Sequence, residues 1–363
     1  MLKKLCTYLG PHPIGSPEYN RAALIVKAEM ERSLPIVFLD TFKYERWLLS
    51  SVPELFIGET RLETYPGHGT SGTPEEGVSG VLQKIEDEGG IPYTVTDLES
   101  GKTRAYITLS RYGKAVPLPY YSFKRQVKCL PTFNVGLQDV HMLEQAVEEK
   151  IPVRLKAIVK WVPETPASNV VGTLPGKSEE EIVFLAHLDT VYNSPGANDN
   201  TASLIAMLMI AHEFSGAQPA KTITFVATTG EEYDKLGAIN YVERRRSEGT
   251  LDRIKYVINL DSVTWGPDMK IHTKDKELFD LIQMIDKELV LQGTPKWEQV
   301  DGFMLDARPF RETGARAVYV NSDGYRAQHL WHRPEDTPEN VPVDCVEIWF
   351  QLFSEWIRSV QKL

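Results

Sequence analysis

The chain has 363 residues, a formal net charge of −10, 42% hydrophobic and 25% charged residues, and three cysteines. That length exceeds the usual single core and points to two domains or to one domain with a large insertion, while the acidic balance, with no basic stripe, argues against a nucleic-acid partner. No run reaches the roughly 20 apolar residues of a membrane helix, and Cys6, Cys129 and Cys345 are too scattered for a disulfide framework or a thiolate metal site. Any metal site is expected to use His and carboxylates.

The opening MLKKLCTYLGPHP is too poor in apolar residues for a secretory h-region, so the expected location is cytoplasmic. GSPEYNRAALIVKAEMERS reads as a helix: Ser16 is placed to cap it, Pro17 fits the first turn, Glu18 faces the positive end, and Ala22, Ile25, Val26 and Met30 recur on one face. The extended run IVFLDTFKY follows. From about Val52 to Pro163 short β-like runs such as AYITLS and VRLKAIVKWV are broken by Gly and Pro, as expected of a separate, mostly β module. After it come NVVGTLPG, IVFLAH, a helix from about Thr201 to Phe214, TITFVATT, a helix through Ala238 to Arg245, KYVINLD, a helix from about Lys276 to Leu291, ARAVYV, and a last helix from about Val343 to Lys362. Strand-length apolar runs alternating with helices predict an α/β fold, a mixed, largely parallel sheet with helices on both faces.

Ligands of open α/β sheets bind outside the carboxyl ends of the strands. Four of the predicted strands lead there into groups able to hold a metal: His187, with Asp189 two residues on; Glu231 and Glu232; Asp261; and a loop reaching His332. Asp199 adds a fifth group in a Gly-containing turn before a helix. The period of two in a strand puts His187 and Asp189 on one face, where the carboxylate can hold the ring N–H and leave the other nitrogen free. Singly, each residue has a plain structural reading, a packed histidine or a helix cap. Together at one rim they form a set suited to two divalent cations, with one carboxylate shared and one His and one further carboxylate on each. Of two adjacent glutamates, one can ligate while its neighbour stays free to act as a base. Spacing alone does not separate His332 from His329. The other histidines have structural readings: His212 on an apolar helix is expected in the core, and His12, His68, His141 and His272 in loops, polar segments or a strand end.

HLD, GANDN, TGEEYDKLGA, NLD and HRPEDT, in this order and at these separations, resemble the motifs of the co-catalytic zinc aminopeptidase family, related to glutamate carboxypeptidases and glutaminyl cyclases. The IGSPEYN helix and the DARPFRETGA segment fit the same family, and LPTFNV with VRLKAIV resembles the end of a protease-associated domain. The resemblance implies a zinc peptidase domain over residues 1–51 and 164–363 and an inserted protease-associated-like domain over 52–163, beside the active-site mouth and restricting large substrates. It also implies two zinc ions bridged by Asp199, with His187 and Glu232 on one, Asp261 and His332 on the other, Glu231 as general base, Asp189 as the partner of the His187 ring, and a cis peptide at Asp199–Asn200. The implied substrate is a peptide or small amide, cleaved at its N-terminal residue. A carboxypeptidase or amidohydrolase, gripping a carboxylate with Arg308, Arg311 or Arg326, is the alternative, ahead of a non-enzymatic receptor-like homologue, since such relatives have lost ligands that this chain keeps. Leu204, where the family has Gly, and Arg308 depart from its pattern at positions expected in the pocket wall. HLDTV is also similar to a second family of di-metal amidohydrolases, but there the next carboxylate lies some tens of residues later.

Overall fold

The computed structural model describes residues 1–85, 92–110, 113–118, 130–266, 269–291, 295–298, 305–322 and 328–362. They divide into two compact units, one built from Met1–Lys43 with Pro166–Leu363, the other from Tyr44–Thr165.

The first unit is organised on an eight-stranded sheet of spatial order β1-β10-β12-β11-β13-β16-β14-β15, formed by β1 (Ile36–Leu49), β10 (Val159–Leu174), β11 (Ser178–His187), β12 (Lys221–Thr228), β13 (Ile254–Leu260), β14 (Met269–His272), β15 (Pro295–Glu298) and β16 (Arg316–Ser322). The central strands β12, β11, β13 and β16 run parallel, while β10 and β14 pair antiparallel with β12 and β16. All four parallel strands therefore end at one rim, and their carboxyl ends lead to the groups singled out in the sequence.

Alternation explains why these strands are apolar throughout. Ile182, Phe184 and Ala186 of β11 join a core with Ile223, Phe225, Ile258 and Val318, while Val183 and Leu185 join the opposite one with Val226, Val257 and Tyr319. The first core is covered by helices α1 (Pro17–Met30), α3 (Ala202–Glu213), α5 (Lys276–Glu288) and α7 (Asp344–Val360), the second by α4 (Leu236–Ser247) and α6 (Arg308–Arg311). Phe184 is stacked 5.7 Å from Phe225 and meets Phe353 and Trp356 edge-on at 6.1 and 6.4 Å.

Local signals set the helix ends. Ser16 Oγ accepts the N–H of Tyr19 at 2.9 Å with Pro17 in the first helical position, and Asp275 Oδ1 accepts the N–H of Leu278 at 3.1 Å at the start of α5. One histidine differs from its sequence reading: His212, expected in the core, is exposed at the end of α3, where its Nδ1 bonds the Ser33 hydroxyl at 3.1 Å. The apolar helix turns that position outward.

In the second unit the order is β3-β2-β9-β5-β6-β7-β8-β4, with β2 (Glu54–Ile57), β3 (Thr60–Leu62), β4 (Thr64–Pro66), β5 (Val78–Lys84), β6 (Tyr93–Thr96), β7 (Thr103–Ser110), β8 (Thr132–Gly136) and β9 (Pro152–Lys156). Helix α2 (Val140–Glu149) buries Leu143 and Ala146 in a core with Leu55, Val95, Ile107 and Phe133. Among the described residues no helix is long and apolar enough to cross a membrane.

Candidate metal centre

Asp199 is the geometric centre of the rim. Its Oδ1 lies 3.1 Å from His187 Nε2 and its Oδ2 3.7 Å from His332 Nε2, so one carboxylate faces both histidines with different oxygens. Two groups of ligand atoms result, each within 4.8 Å: His187, Asp199 and Asp261, and Asp199, Glu232 and His332. All five residues are buried. Within the groups, His187 Nε2 is 3.9 Å from Asp261 Oδ2 and His332 Nε2 is 3.0 Å from Glu232 Oε2.

This pairing corrects the one implied by the resemblance, which put His187 with Glu232 and Asp261 with His332. The cause is sheet order. β13 and β12 flank β11 on opposite sides, so Asp261 and Glu232 approach from opposite sides of His187, and it is Asp261 whose ligand atom groups with it. Glu232 and His332 follow strands on either side of the β11–β13 pair and meet across it through their loops. Chain order gives no view of this crossover.

The His187 ring is also held differently than expected. Its Nδ1 lies 2.9 Å from the main-chain oxygen of Asp189 and 3.8 Å from the carboxylate. A carbonyl oxygen only accepts, so Nδ1 carries the proton and Nε2 faces the carboxylates. The Asp189 carboxylate instead accepts the N–H of Glu231 at 3.2 Å and thereby fixes the glutamate loop. Glu231 belongs to neither ligand group, and its Oε1 is buried without a hydrogen-bond partner among the described residues.

The expected cis peptide between Asp199 and Asn200 is present. His332 is buried at φ 57°, whereas its competitor His329 is exposed and meets the Trp265 ring edge-on at 6.0 Å. Trp331 stacks on the His332 imidazole with centroids 3.7 Å apart. Leu204 lies in the hydrophobic core and not in a pocket wall; Arg308 is half exposed with its Nε 3.0 Å from Glu312, and Arg326 lies outside the described residues.

Several residues that build the site were not picked out from the sequence. The carboxylate of Asp336, in the HRPEDT motif, accepts the N–H of Asn198 at 2.8 Å and that of Asp199 at 3.1 Å. Asn200 donates to the Leu260 carbonyl at 2.9 Å and accepts from Ser262 N–H at 3.0 Å, bracketing Asp261 from both sides. Asn169 accepts Thr229 N–H at 3.0 Å and donates to the Gly237 carbonyl at 3.0 Å, clamping the two ends of the glutamate loop. Asp306 is fully buried, accepts the Thr228 hydroxyl, and leaves Oδ1 without a hydrogen-bond partner among the described residues. Asp336 and Asp306 both fall in quoted motifs, so a buried-carboxylate reading of those motifs could have found them.

Electrostatics set the demand for positive charge. Burial pushes Asp189 and Asp261 up from the usual 3.8 to about 7, although the His187 charge opposes it, and burial with the neighbouring Glu232 holds Glu231 well above the ordinary glutamate range. For Asp199 burial raises, but the hydrogen bond and charge of His187 and the charge of His332 hold it below its ordinary value. Burial alone would lower His187, yet Asp199 and Asp261 carry it well above 6.5. Carboxylates thus outnumber cationic groups in a water-poor site. Oxygen and imidazole donors in two groups sharing one carboxylate fit two divalent cations, the best match to this excess of negative charge.

Comparison with known proteins gives the rim a family. The model of Peptidase family M28 matches residues 169–357, just over half of the chain and all of the rim. The chain belongs to that family. Aminopeptidase YwaD of Bacillus subtilis is 23% identical over 374 residues, covering 94% of this chain and 79% of that protein. Carboxypeptidase Q of Rattus norvegicus is also 23% identical, over 375 residues, 91% of this chain and 78% of that protein. Among solved structures, BSAP, a zinc aminopeptidase from Bacillus subtilis, has a TM-score of 0.76 at 20% identity over 99% of this chain and 93% of its own. A peptidase M28 precursor from Shewanella amazonensis reaches 0.80 at 16% identity, over 99% and 92%. These likenesses carry the fold of this M28 chain, and the ligand positions rest on its own geometry.

Proposed function

We propose that the chain is an aminopeptidase that uses two zinc ions to hydrolyse the N-terminal peptide bond of peptides. The observation that carries the reading is Asp199, whose two oxygens face the two buried groups while Glu231 stays outside both. His187, Asp199 and Asp261 would hold one ion, and Asp199, Glu232 and His332 the other. Bound there, the ions supply a water of lowered pKa and polarise the scissile carbonyl.

The remaining work falls to the chain's own groups. Glu231, its main-chain N–H held by Asp189, takes the proton of the attacking water on its unpartnered Oε1 and delivers it to the leaving nitrogen. Asp189 keeps the glutamate loop in register with β11, and its carbonyl fixes the His187 tautomer. The acid-rich rim favours a substrate ammonium over a carboxylate. Of the arginines expected to grip a carboxylate, Arg308 is paired with Glu312, which supports an aminopeptidase over a carboxypeptidase. The similarity to a carboxypeptidase keeps the second reading testable.

The test is a panel of matched dipeptides, one free at both ends, one N-acetylated and one C-amidated, assayed with zinc and after dialysis against a chelator. Cleavage of the free and C-amidated members only, abolished by the chelator and restored by zinc, is expected. Cleavage of the N-acetylated but not the C-amidated dipeptide would overturn the aminopeptidase reading, and full activity without metal would overturn the di-zinc one.

A further inference from the structure

The loop that carries Asp199 is held from outside by a buried carboxylate. Asp336 is fully buried, and its two carboxylate oxygens accept two successive main-chain N–H groups, Asn198 at 2.8 Å and Asp199 at 3.1 Å, while its own carbonyl accepts the N–H of Ala197 at 3.1 Å. Three consecutive donors thus converge on one residue. Asp336 also follows His332 by four positions on the same irregular segment, which is tied to the Asp199 side a second time by Asn193 Nδ2 donating to the His332 carbonyl at 3.1 Å. On the far side, Thr264 donates to Asn198 Oδ1 at 2.5 Å, and Asn200 brackets Asp261.

Resting on the di-zinc reading above, we propose that Asp336 is a positioning residue that locks the shared carboxylate of Asp199 between the two ligand groups, so that affinity at both metal sites depends on a side chain outside both. It belongs to neither group. Its effect passes through the Asp199 main chain, which is common to the two, and through the His332 segment. Asn and Asp have nearly the same shape, yet Asn offers one acceptor and turns an N–H₂ toward the second main-chain donor. In a buried site that replaces a charge-assisted hydrogen bond with two donors facing each other.

The experiment measures zinc binding by competition with a chromophoric chelator on the whole protein, for the parent, Asp336→Asn, Glu232→Gln and the double variant, with far-UV circular dichroism of each zinc-free form. Parent protein is expected to bind two ions. Asp336→Asn is expected to keep the parent spectrum and to weaken both sites about 10–100-fold, the usual effect of a residue that orients metal ligands. Glu232→Gln is expected to lose one site only. Adding Asp336→Asn to it is expected to weaken the surviving site of His187, Asp199 and Asp261 by the same factor, although the hydrogen bond of Asp336 to that group is to the main chain of Asp199. A purely structural role would lower the unfolding midpoint and leave that surviving affinity unchanged. If Asp336→Asn does not fold, Asp336→Ser, which removes the carboxylate without presenting an amide N–H, is measured in its place. A shift of less than threefold at both sites, or one confined to the site of Glu232 and His332, overturns the proposal while leaving the di-zinc reading intact. A parent that binds fewer than two ions overturns both.

Discussion

Glu231 and Glu232 are neighbours with the same side chain, and the structure gives them separable roles. Glu232 shares a group with Asp199 and His332, its Oε2 3.0 Å from His332 Nε2, so Glu232→Gln removes a charged ligand and is expected to cost one bound ion. Glu231 belongs to neither group, and Asp189 holds its main chain at 3.2 Å whatever its side chain is. Glu231→Gln is therefore expected to retain both ions. The amide keeps the volume of the carboxylate but takes up no proton, and a positioned general base is worth about 10²–10⁴ in rate. At 1.36 kcal/mol per decade that is roughly 2.7–5.4 kcal/mol of lost transition-state stabilisation, borne by kcat with KM nearly unchanged. The assay is zinc stoichiometry by elemental analysis after gel filtration, with kcat and KM from the same preparations. If Glu231→Gln lost an ion while Glu232→Gln kept both, or if Glu231→Gln kept kcat within threefold of the parent, the assignment would be wrong.

Three further outcomes are expected. A Cβ at Gly237 would stand 2.2 Å from Asn169 Oδ1 and 2.4 Å from the Thr229 carbonyl oxygen, so Gly237→Ala should displace the glutamate loop, cost about 1–3 kcal/mol of stability, and lower kcat/KM by more than tenfold in steady-state assays. Phe184→Ala opens the aromatic cluster on the helix-covered face and should cost about 3–5 kcal/mol in urea unfolding while leaving zinc stoichiometry at the parent value. Hydrogen bonding from Arg316 lowers the Asp275 carboxyl below its usual 3.8, so its stabilisation is fully present above pH 3.8 and is lost as pH falls through the lower folded value. Asp275→Ala should therefore cost about 1 kcal/mol near neutrality, mostly from the lost helix cap, and the gap between the two unfolding midpoints should close below pH 3.8.

Where the sequence was legible, the signal was local. Ser16 and Pro17 mark the start of α1 because a cap and a proline act within one turn, and the four apolar runs end at His187, Thr228, Leu260 and Ser322 because burial on both faces needs unbroken apolar residues. The metal-capable set was legible for the same reason, as polar residues stand out directly after such runs. Pairing was not. Whether His187 meets Asp261 or Glu232 depends on β13 and β12 lying on opposite sides of β11, a crossover that leaves no trace in the spacing. Asp336 was hidden for another reason: its partners are main-chain N–H groups nearly 140 residues away, and such partners have no sequence signature. His212 shows the limit of composition, because an apolar helix can still turn its final residues to solvent.

The first unit is assembled from two stretches of chain, Met1–Lys43 and Pro166–Leu363, with the whole second unit threaded between them. During synthesis this imposes a schedule. Helix α1 and strand β1 leave the ribosome before the second unit, but β1 pairs with β10, β10 pairs with β12, and α1 packs into a core built largely from residues after 166. Tyr44–Thr165 has its own sheet and core and is complete once Thr165 emerges, after roughly 6–25 s at the usual 5–20 residues per second. Over that interval the amino-terminal segment, with the apolar face of Ala22, Val26 and Met30, waits without its partners. The nascent chain thus carries an uncovered hydrophobic stripe ahead of a folded unit until β11 and β12 arrive.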